Sequence, residues 1–136
     1  MAADKAVAFL KTISYPDEYL EDIHHAIHAH SFSANIETKT IEAKIVQDAD
    51  RMDALGAIGL ARCIAYSTIK ERPLYDPTDP FAENRELDEG RFAIDHFYTK
   101  LLKLPNSMNT EAGKLIARQR ADFLQSFLDN LKHELP

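Results

Sequence analysis

The stretch that decides the fold, residues 47–59, reads QDADRMDALGAIG and places three carboxylates in an apolar helical pattern. At three- and four-residue steps, one helical face around this stretch carries Ala43, Val46, Asp50, Ala54, Ala57 and Ala61. Such a row of small apolar side chains normally packs against protein. A carboxylate buried there loses its hydration, so it must be protonated, paired with a cation or bound to a metal ion. The pattern therefore predicts a buried Asp50 and makes it the candidate functional carboxylate.

The two other carboxylates of this stretch, Asp48 and Asp53, are weaker candidates. Asp48 interrupts a second apolar row, and Asp53 shares the side of Asp50 by i, i+3 spacing. The alternative interpretation of any single aspartate on a helix is a solvated side chain or an ion pair with a nearby cation. The cations close enough in sequence are Lys44, Arg51 and Arg62.

A second informative stretch, residues 23–33, reads IHHAIHAHSFS and holds four of the six histidines in the chain. His24 and His28 are i, i+4 neighbours that could chelate a metal ion, but two ligands do not make a site, and an exposed pair of histidines is a common solvated face. His30 continues an apolar stripe that includes Ile23 and Ile27. That stripe predicts a structural histidine hydrogen-bonded to backbone, with a functional role as the alternative.

Helical periodicity and breaker residues predict an all-α protein. Six helical segments are expected, at residues 3–13, 16–30, 40–55, 57–70, 87–104 and 110–135. The segment 72–87 contains Pro73, Pro77 and Pro80 and is predicted to be the one long loop, and Pro105 with Asn106 is expected to stop the fifth helix. Gly56 and Gly59 are interpreted as sites of close packing. We expect one domain over residues 1–136.

Composition excludes several classes of function. A net charge of −6 on 136 residues argues against a nucleic-acid partner. Four glycines in no phosphate-binding arrangement argue against a nucleotide-loop fold, and the single cysteine, Cys63, rules out a disulfide framework. No apolar run approaches the roughly 20 residues of a membrane span. We therefore expect a cytoplasmic protein with no membrane partner. Cations that could bind phosphate, or be simply solvated, are Lys100, Arg118 and Arg120.

Three stretches together resemble a known family. They read AHSFS at residues 29–33, QDADRMDALGAIGLAR at 47–62 and HFYTKLLKLPNSMNTEAGKLIARQR at 96–120. They resemble the C-terminal two-thirds of HD-domain metal-dependent phosphohydrolases, in particular small stand-alone bacterial enzymes similar to nucleotide pyrophosphohydrolases. The resemblance implies an HD-type helical domain that hydrolyses a nucleotide phosphate or pyrophosphate bond with a divalent metal such as Mg²⁺ or Mn²⁺. It also implies that Asp50 is the last metal ligand and that His30 and Lys100 bind phosphate.

The remaining ligands of the family, an early histidine and an adjacent His-Asp pair, have no counterpart in this sequence, where the only adjacent histidines are His24 and His25. We therefore expect a partial HD domain that lacks the first helices of the family, with metal binding weakened or lost and activity of this chain doubtful. An apolar face left uncovered would favour a homo-oligomer. The alternative to an enzyme is a noncatalytic helical interaction module, or a truncated product that self-associates.

Overall fold

The protein is described by a computed structural model over residues 2–31 and 36–136. Its elements are α1 (Ala2–Thr12), a 3₁₀ turn (Asp17–Tyr19), α2 (Leu20–Ala29), α3 (Ile41–Met52), α4 (Gly56–Ile69), α5 (Ala93–Thr99), a 3₁₀ segment (Leu101–Ser107) and α6 (Glu111–Glu134). These residues contain no β-strand, so the prediction of an all-α protein with six helices is confirmed. No helix in them is long and apolar enough to cross a membrane.

The core is built around α6, the longest helix. Its buried side follows three- and four-residue steps through Gly113, Ala117, Ala121, Leu124 and Leu128. This side packs against α3, α4 and the 3₁₀ segment, while α1 packs on α2 and α2 on α3. Burial of each large core side chain contributes about 1.5–3 kcal/mol to folding, so α6 provides the surface on which the other helices assemble.

The break between α3 and α4 comes earlier than the periodicity predicted. The sequence indicated a helix through Leu55, but α3 ends at Met52. A tight turn follows, in which the amides of residues 53–55 bond to the carbonyls of residues 50–52. Gly56 then has φ +68°, a conformation that favours glycine. A Cβ on Gly59 would clash with the Ala54 carbonyl, which confirms the predicted close packing at that glycine.

The fifth predicted helix is much shorter than residues 87–104. It begins only at Ala93, whose amide bonds to the Pro73 carbonyl of the long loop, and the Asp88 amide before it bonds to a side chain. The fully buried Asp95 accepts two hydrogen bonds from the Arg85 guanidinium, at 2.5 and 2.8 Å, and one from the Asp88 amide at 2.6 Å. These bonds pin the long loop against the core. Pro105 lies inside the 3₁₀ segment and does not end it, which corrects the predicted stop.

Asp48 fixes the start of α6. Its Oδ1 accepts hydrogen bonds from the Asn109 amide at 2.7 Å and from Asn109 Nδ2 at 2.9 Å. Its Oδ2 accepts from the amide and the hydroxyl of Thr110, both at 2.8 Å. The same Thr110 oxygen caps α6 by accepting from the Gly113 amide at 3.0 Å. A Cβ on Gly113 would lie 2.5 Å from Asp48 Oδ2, so glycine is required there.

Gln47, the neighbour of Asp48, extends this network to α2. Its Nε2 donates to the Ala29 carbonyl at 2.7 Å, and its Oε1 accepts from Asn109 Nδ2 at 2.8 Å. Burial alone would raise the pKa of Asp48, but the hydrogen bonds from Asn109 and Thr110 lower it below its ordinary value. The carboxylate is therefore ionised, and together with the Gln47 side chain it joins α2, α3 and the start of α6.

Asp48→Asn is predicted to lower the free energy of unfolding by about 1–3 kcal/mol, because an amide in place of the carboxylate leaves a Thr110 donor facing another donor. Urea denaturation measures this change. Asp53→Asn, at an exposed aspartate, is the matched control and should cost about 0.5 kcal/mol or less.

The pH dependence supplies a second measurement of the same prediction. Since the folded pKa of Asp48 is lowered, its contribution is complete above the ordinary aspartate value and is lost as the pH falls through the folded pKa. The difference in unfolding free energy between wild type and Asp48→Asn should therefore shrink in acid. A difference that stays constant between neutral pH and pH values near the folded pKa would contradict an ionised Asp48 anchor.

Candidate functional site

Asp50 is exposed, so the predicted burial of this side chain is wrong. In the apolar row on which the prediction rested, Ala43 is buried, whereas Val46, Asp50, Ala57 and Ala61 are exposed. The row assumed one continuous helix, but the turn after Met52 separates its two halves. The side of α3 that faces the protein carries Ala43, Gln47 and Asp48, and this leaves Asp50 on the outer side.

The three carboxylates of residues 47–59 have three different environments. Asp48 is buried and fully bonded. Asp53 lies with its Oδ2 3.5 Å from Arg62 Nη1, and both side chains are exposed, which matches the alternative of an ion pair. The Asp50 carboxylate, although close enough to Arg51 for their charges to interact, makes no hydrogen bond or ion pair with another residue in the ranges 2–31 and 36–136. Of the three, only Asp50 presents both carboxylate oxygens for a ligand.

His30 lies at the end of α2 and is half-buried. Its Nδ1 is 2.5 Å from the Ile27 carbonyl oxygen, which confirms the predicted bond to backbone. Because Nδ1 faces an acceptor, Nδ1 carries a proton, and Nε2 is the ring nitrogen that remains for a ligand. The bond from Gln47 to Ala29 ties this end of α2 to α3. Phe32 and Ser33, from the stretch 29–33 that supported the family resemblance, lie outside the described residues.

His24 and His28, which by spacing alone could chelate a metal ion, belong to no group of three or more potential metal ligands among the described residues. His24 Nε2 lies 3.1 Å from Asp4 Oδ1, so its partner is a carboxylate on α1. The rings of His24 and His28 meet edge to face, with centroids 5.9 Å apart. This arrangement matches the alternative of a structural surface pair.

Lys100 follows the last residue of α5 and is half-buried, with its amide bonded to the His96 carbonyl at 3.1 Å. It lies near Glu89, which accepts a hydrogen bond from Thr99 Oγ1 and sits 2.9 Å from His96 Nδ1. The bonds from Thr99 and His96, together with the charge of Lys100, lower the pKa of Glu89. This cluster was not predicted from the sequence. Glu89 lies in the long loop and His96 on α5, and their contact depends on how the loop packs against the helix.

The two arginines proposed alongside Lys100 have different surroundings. Arg120 Nη1 donates to the Met52 carbonyl at 3.1 Å and so closes the end of α3. Arg118 is exposed, which matches the alternative of surface solvation.

Comparison with known proteins supplies a family context. YpgQ of Bacillus subtilis is 38% identical over 100 residues, a match that covers 74% of this chain and 43% of YpgQ. The crystal structure of YpgQ in complex with ADP matches 100% of this chain and 63% of that chain, with a TM-score of 0.78 and 29% identity. An HD-superfamily hydrolase from Bacillus thuringiensis matches 97% of this chain and 61% of that chain, with a TM-score of 0.76 and 39% identity. No protein-family model matches. This chain has an HD-type helical fold.

The HD-type fold here spans less than two-thirds of the solved relatives. Among residues 2–31 and 36–136, no group of three or more His, Cys, Asp or Glu side chains is placed to hold a metal ion. Asp50 offers carboxylate oxygens, but one residue does not supply the ligand set that a divalent ion needs. The described residues therefore do not fit a divalent metal ion by themselves.

A pocket of about 350 Å³ opens beside the turn that follows α3. Ala54 contributes to it from the turn, Arg62, Cys63 and Tyr66 contribute from α4, and His96 contributes from α5. Asp50 lies one helical turn before Ala54 in sequence. His96 therefore lines the pocket beside this turn, whereas Asp50 is not one of its lining residues.

Asp50→Asn is predicted to change the free energy of unfolding by no more than about 0.5 kcal/mol, because the side chain is exposed and no described residue bonds to it. Urea denaturation beside Asp48→Asn checks this, since both substitutions remove one charge from the same helix. A loss as large as that of Asp48→Asn would contradict the outward position of Asp50.

Proposed function

We propose that this chain carries part of the active site of a divalent-metal-dependent phosphohydrolase that acts on a nucleotide phosphate or pyrophosphate bond. The observation that carries the proposal is the exposed carboxylate of Asp50, whose oxygens are not engaged by any other described residue. Its helix is fixed by the adjacent Asp48 network. A carboxylate held in a fixed position without a partner is suited to bind a cation from solution.

The relatives support the substrate class. The chain is 39% identical to an HD-superfamily hydrolase, and YpgQ of Bacillus subtilis, with the same fold over this whole chain, forms a crystalline complex with ADP. We extend nucleotide binding to this chain on that basis. Within the proposal, His30 Nε2 and the Lys100 ammonium bind phosphate oxygens, and Asp50 is one metal ligand.

Within the proposal, the remaining metal ligands come from outside the described residues, because no group of three or more His, Cys, Asp or Glu side chains is placed there to hold a metal ion. A site with a single protein carboxylate binds Mg²⁺ or Mn²⁺ weakly, since each missing ligand is replaced by water and the geometry is not preorganised. We therefore expect this chain to bind Mn²⁺ weakly. The proposed site is identified by the residues that lie nearest to the bound ion, not by the affinity.

Mn²⁺ titrated into the full chain is predicted to broaden the amide signals of residues around Asp50 first, because a paramagnetic ion relaxes the nuclei nearest to it. The broadening should disappear in Asp50→Asn and persist in Asp53→Asn, which removes an exposed carboxylate in the same stretch. Nuclear magnetic resonance of the three proteins measures this. Broadening centred elsewhere, or retained by Asp50→Asn, would refute the ligand assignment.

Phosphate release from ATP and ADP, measured over the same Mn²⁺ range, tests the reaction. We expect metal-dependent release that falls at least tenfold in Asp50→Asn and is unchanged in Asp53→Asn, a loss of about 1.4 kcal/mol or more in transition-state stabilisation. Release that survives Asp50→Asn would contradict the role of Asp50. No release by wild type, with Mn²⁺ bound at Asp50, would contradict hydrolysis by this polypeptide.

The second candidate function is a noncatalytic module that associates with a second copy through the outer sides of α3 and α4. The observation in its favour is the exposure of four isoleucines on these helices, Ile41 at 56%, Ile45 at 54%, Ile58 at 62% and Ile69 at 77%. Water contact of this kind is unfavourable, and association would remove it.

Ile45→Glu is predicted to raise the dissociation constant of the self-associated chain at least tenfold, because burial of one isoleucine contributes about 1.5–3 kcal/mol and a charge there is repelled from an apolar contact. Sedimentation over a wide concentration range measures the constant. Ile13→Glu, at an equally exposed isoleucine just after α1, is the control. A wild-type chain that stays monomeric throughout would refute this candidate.

A further inference from the structure

A polar pocket of about 500 Å³ opens on the side of α3 that carries Lys44 and Arg51. Its lining comes from the segment before α3, from α3 itself and from the segment before α6: residues 36–38, Lys44, Gln47, Arg51, Ser107 and Asn109. Ile36 is the only lining residue with an apolar side chain. This cavity, called here the Lys44 pocket, is therefore suited to a polar ligand and not to an apolar one.

The bottom of the Lys44 pocket is fixed by hydrogen bonds. Gln47 is buried, and its Oε1 accepts from Asn109 Nδ2 at 2.8 Å while its Nε2 donates to the Ala29 carbonyl at 2.7 Å. Thr38 is also buried, with its Oγ1 3.4 Å from Asn109 Oδ1. Because these neutral groups already bond to one another, they hold the shape of the pocket and leave recognition of a ligand to the charged side chains.

The cations of the Lys44 pocket share one side of α3. Lys44 and Arg51 are seven residues apart, two turns of the helix, and both are half-buried. Arg51 Nη1 donates to the Ser107 carbonyl, which holds the guanidinium at the pocket wall. Within residues 2–31 and 36–136, the Lys44 ammonium has no hydrogen bond, ion pair or aromatic contact. A half-buried ammonium has lost part of its hydration, and an anion in the pocket compensates that loss.

The local charge selects the kind of anion. The exposed Glu37 also lines the Lys44 pocket, and the ionised Asp48 lies below it, bonded to Asn109 and close enough to Arg51 for their charges to interact. Two carboxylates thus offset the two cations. Phosphate carries a charge of about −1.5 to −2 at neutral pH, so it meets more repulsion here than a carboxylate with a single charge does.

We propose that the Lys44 pocket binds a small molecule with one carboxylate and neutral polar groups, with the carboxylate at Lys44 and Arg51. The neutral groups of the ligand occupy the rest of the volume, which is larger than a bare carboxylate fills. This site goes beyond the proposed hydrolysis. Asp50, His30 and Lys100 do not line the pocket.

The experiment compares three probes by nuclear magnetic resonance of the full chain at constant ionic strength. N-acetylglycine carries one carboxylate and an amide, N-acetylglycinamide has the same shape without the charge, and inorganic phosphate is the more highly charged anion. N-acetylglycine is expected to shift the amide signals of Thr38, Lys44 and Ser107 in a saturable way. N-acetylglycinamide should leave them unchanged over the same concentrations, and phosphate should bind more weakly than N-acetylglycine.

Three variants test the charges. Lys44→Gln should raise the Kd for N-acetylglycine by at least about fivefold, because a charge-assisted hydrogen bond is lost. Lys44→Arg keeps the charge and should restore binding to within about twofold of wild type. Glu37→Gln removes one of the offsetting carboxylates, so it should lower the Kd for both anions, and more for phosphate than for N-acetylglycine.

Lys39→Gln is the matched control. Lys39 is an exposed lysine just before α3 that does not line the Lys44 pocket, and its hydrogen bond to His25 Nε2 comes from the backbone amide, which the substitution keeps. The control should bind N-acetylglycine like wild type. Urea midpoints and amide spectra without ligand show whether each variant keeps its fold.

The inference is overturned if no probe gives a saturable shift, if N-acetylglycinamide binds as well as N-acetylglycine, or if Lys44→Gln keeps the wild-type Kd. Tighter binding of phosphate than of N-acetylglycine would refute the argument from local charge and with it the choice of a carboxylate. All of these titrations are made in EDTA. Their outcome is therefore separate from metal binding at Asp50 and from hydrolysis.

Discussion

The buried Asp48 carboxylate is the constraint on which the rest of the structure depends. It accepts four hydrogen bonds from Asn109 and Thr110, so its oxygens are satisfied without water. These bonds fix Thr110, the N-cap of α6, and require a glycine at position 113, where a Cβ would meet the carboxylate. Through Gln47 the same network holds the end of α2. Removing it would release three helices from one another.

The candidate site follows from this anchor by helical geometry. Asp48 and Asp50 are two residues apart, about 200° around an α-helix, so an inward Asp48 directs Asp50 outward. The strong bonds of the first aspartate thereby hold the second in a defined position at the surface. A fixed carboxylate without a partner is costly when it is desolvated, and Asp50 is exposed. The same local sequence thus serves folding with one carboxylate and leaves the other for a ligand.

Prediction from the sequence succeeded where the local sequence pattern determines the structure. Thr40 and Thr110 were expected to open helices, and both side chains accept the capping bond, from Ala43 and Gly113. It failed where distant partners decide. Nothing near Asp48 in the chain indicates that Asn109 will bond to it, and the start of α5 depends on an arginine in the preceding loop. The predicted burial of Asp50 was wrong because the apolar row was assumed to lie on one continuous helix, whereas a turn over residues 53–55 separates α3 from α4.

The exposed isoleucines of α3 and the exposed Asp50 lie on different sides of this helix. Ile41 and Ile45 follow one another at a four-residue step and are exposed to water, whereas Asp50 lies about 180° and 140° around the helix from them. A partner that covered the isoleucines would therefore leave the carboxylate uncovered, and only a cover on the opposite side of α3 would desolvate it. Desolvation by such a cover would make an unpaired Asp50 unfavourable, because a buried carboxylate without a partner costs several kcal/mol. Such a cover would therefore have to bring a cation or another partner to Asp50.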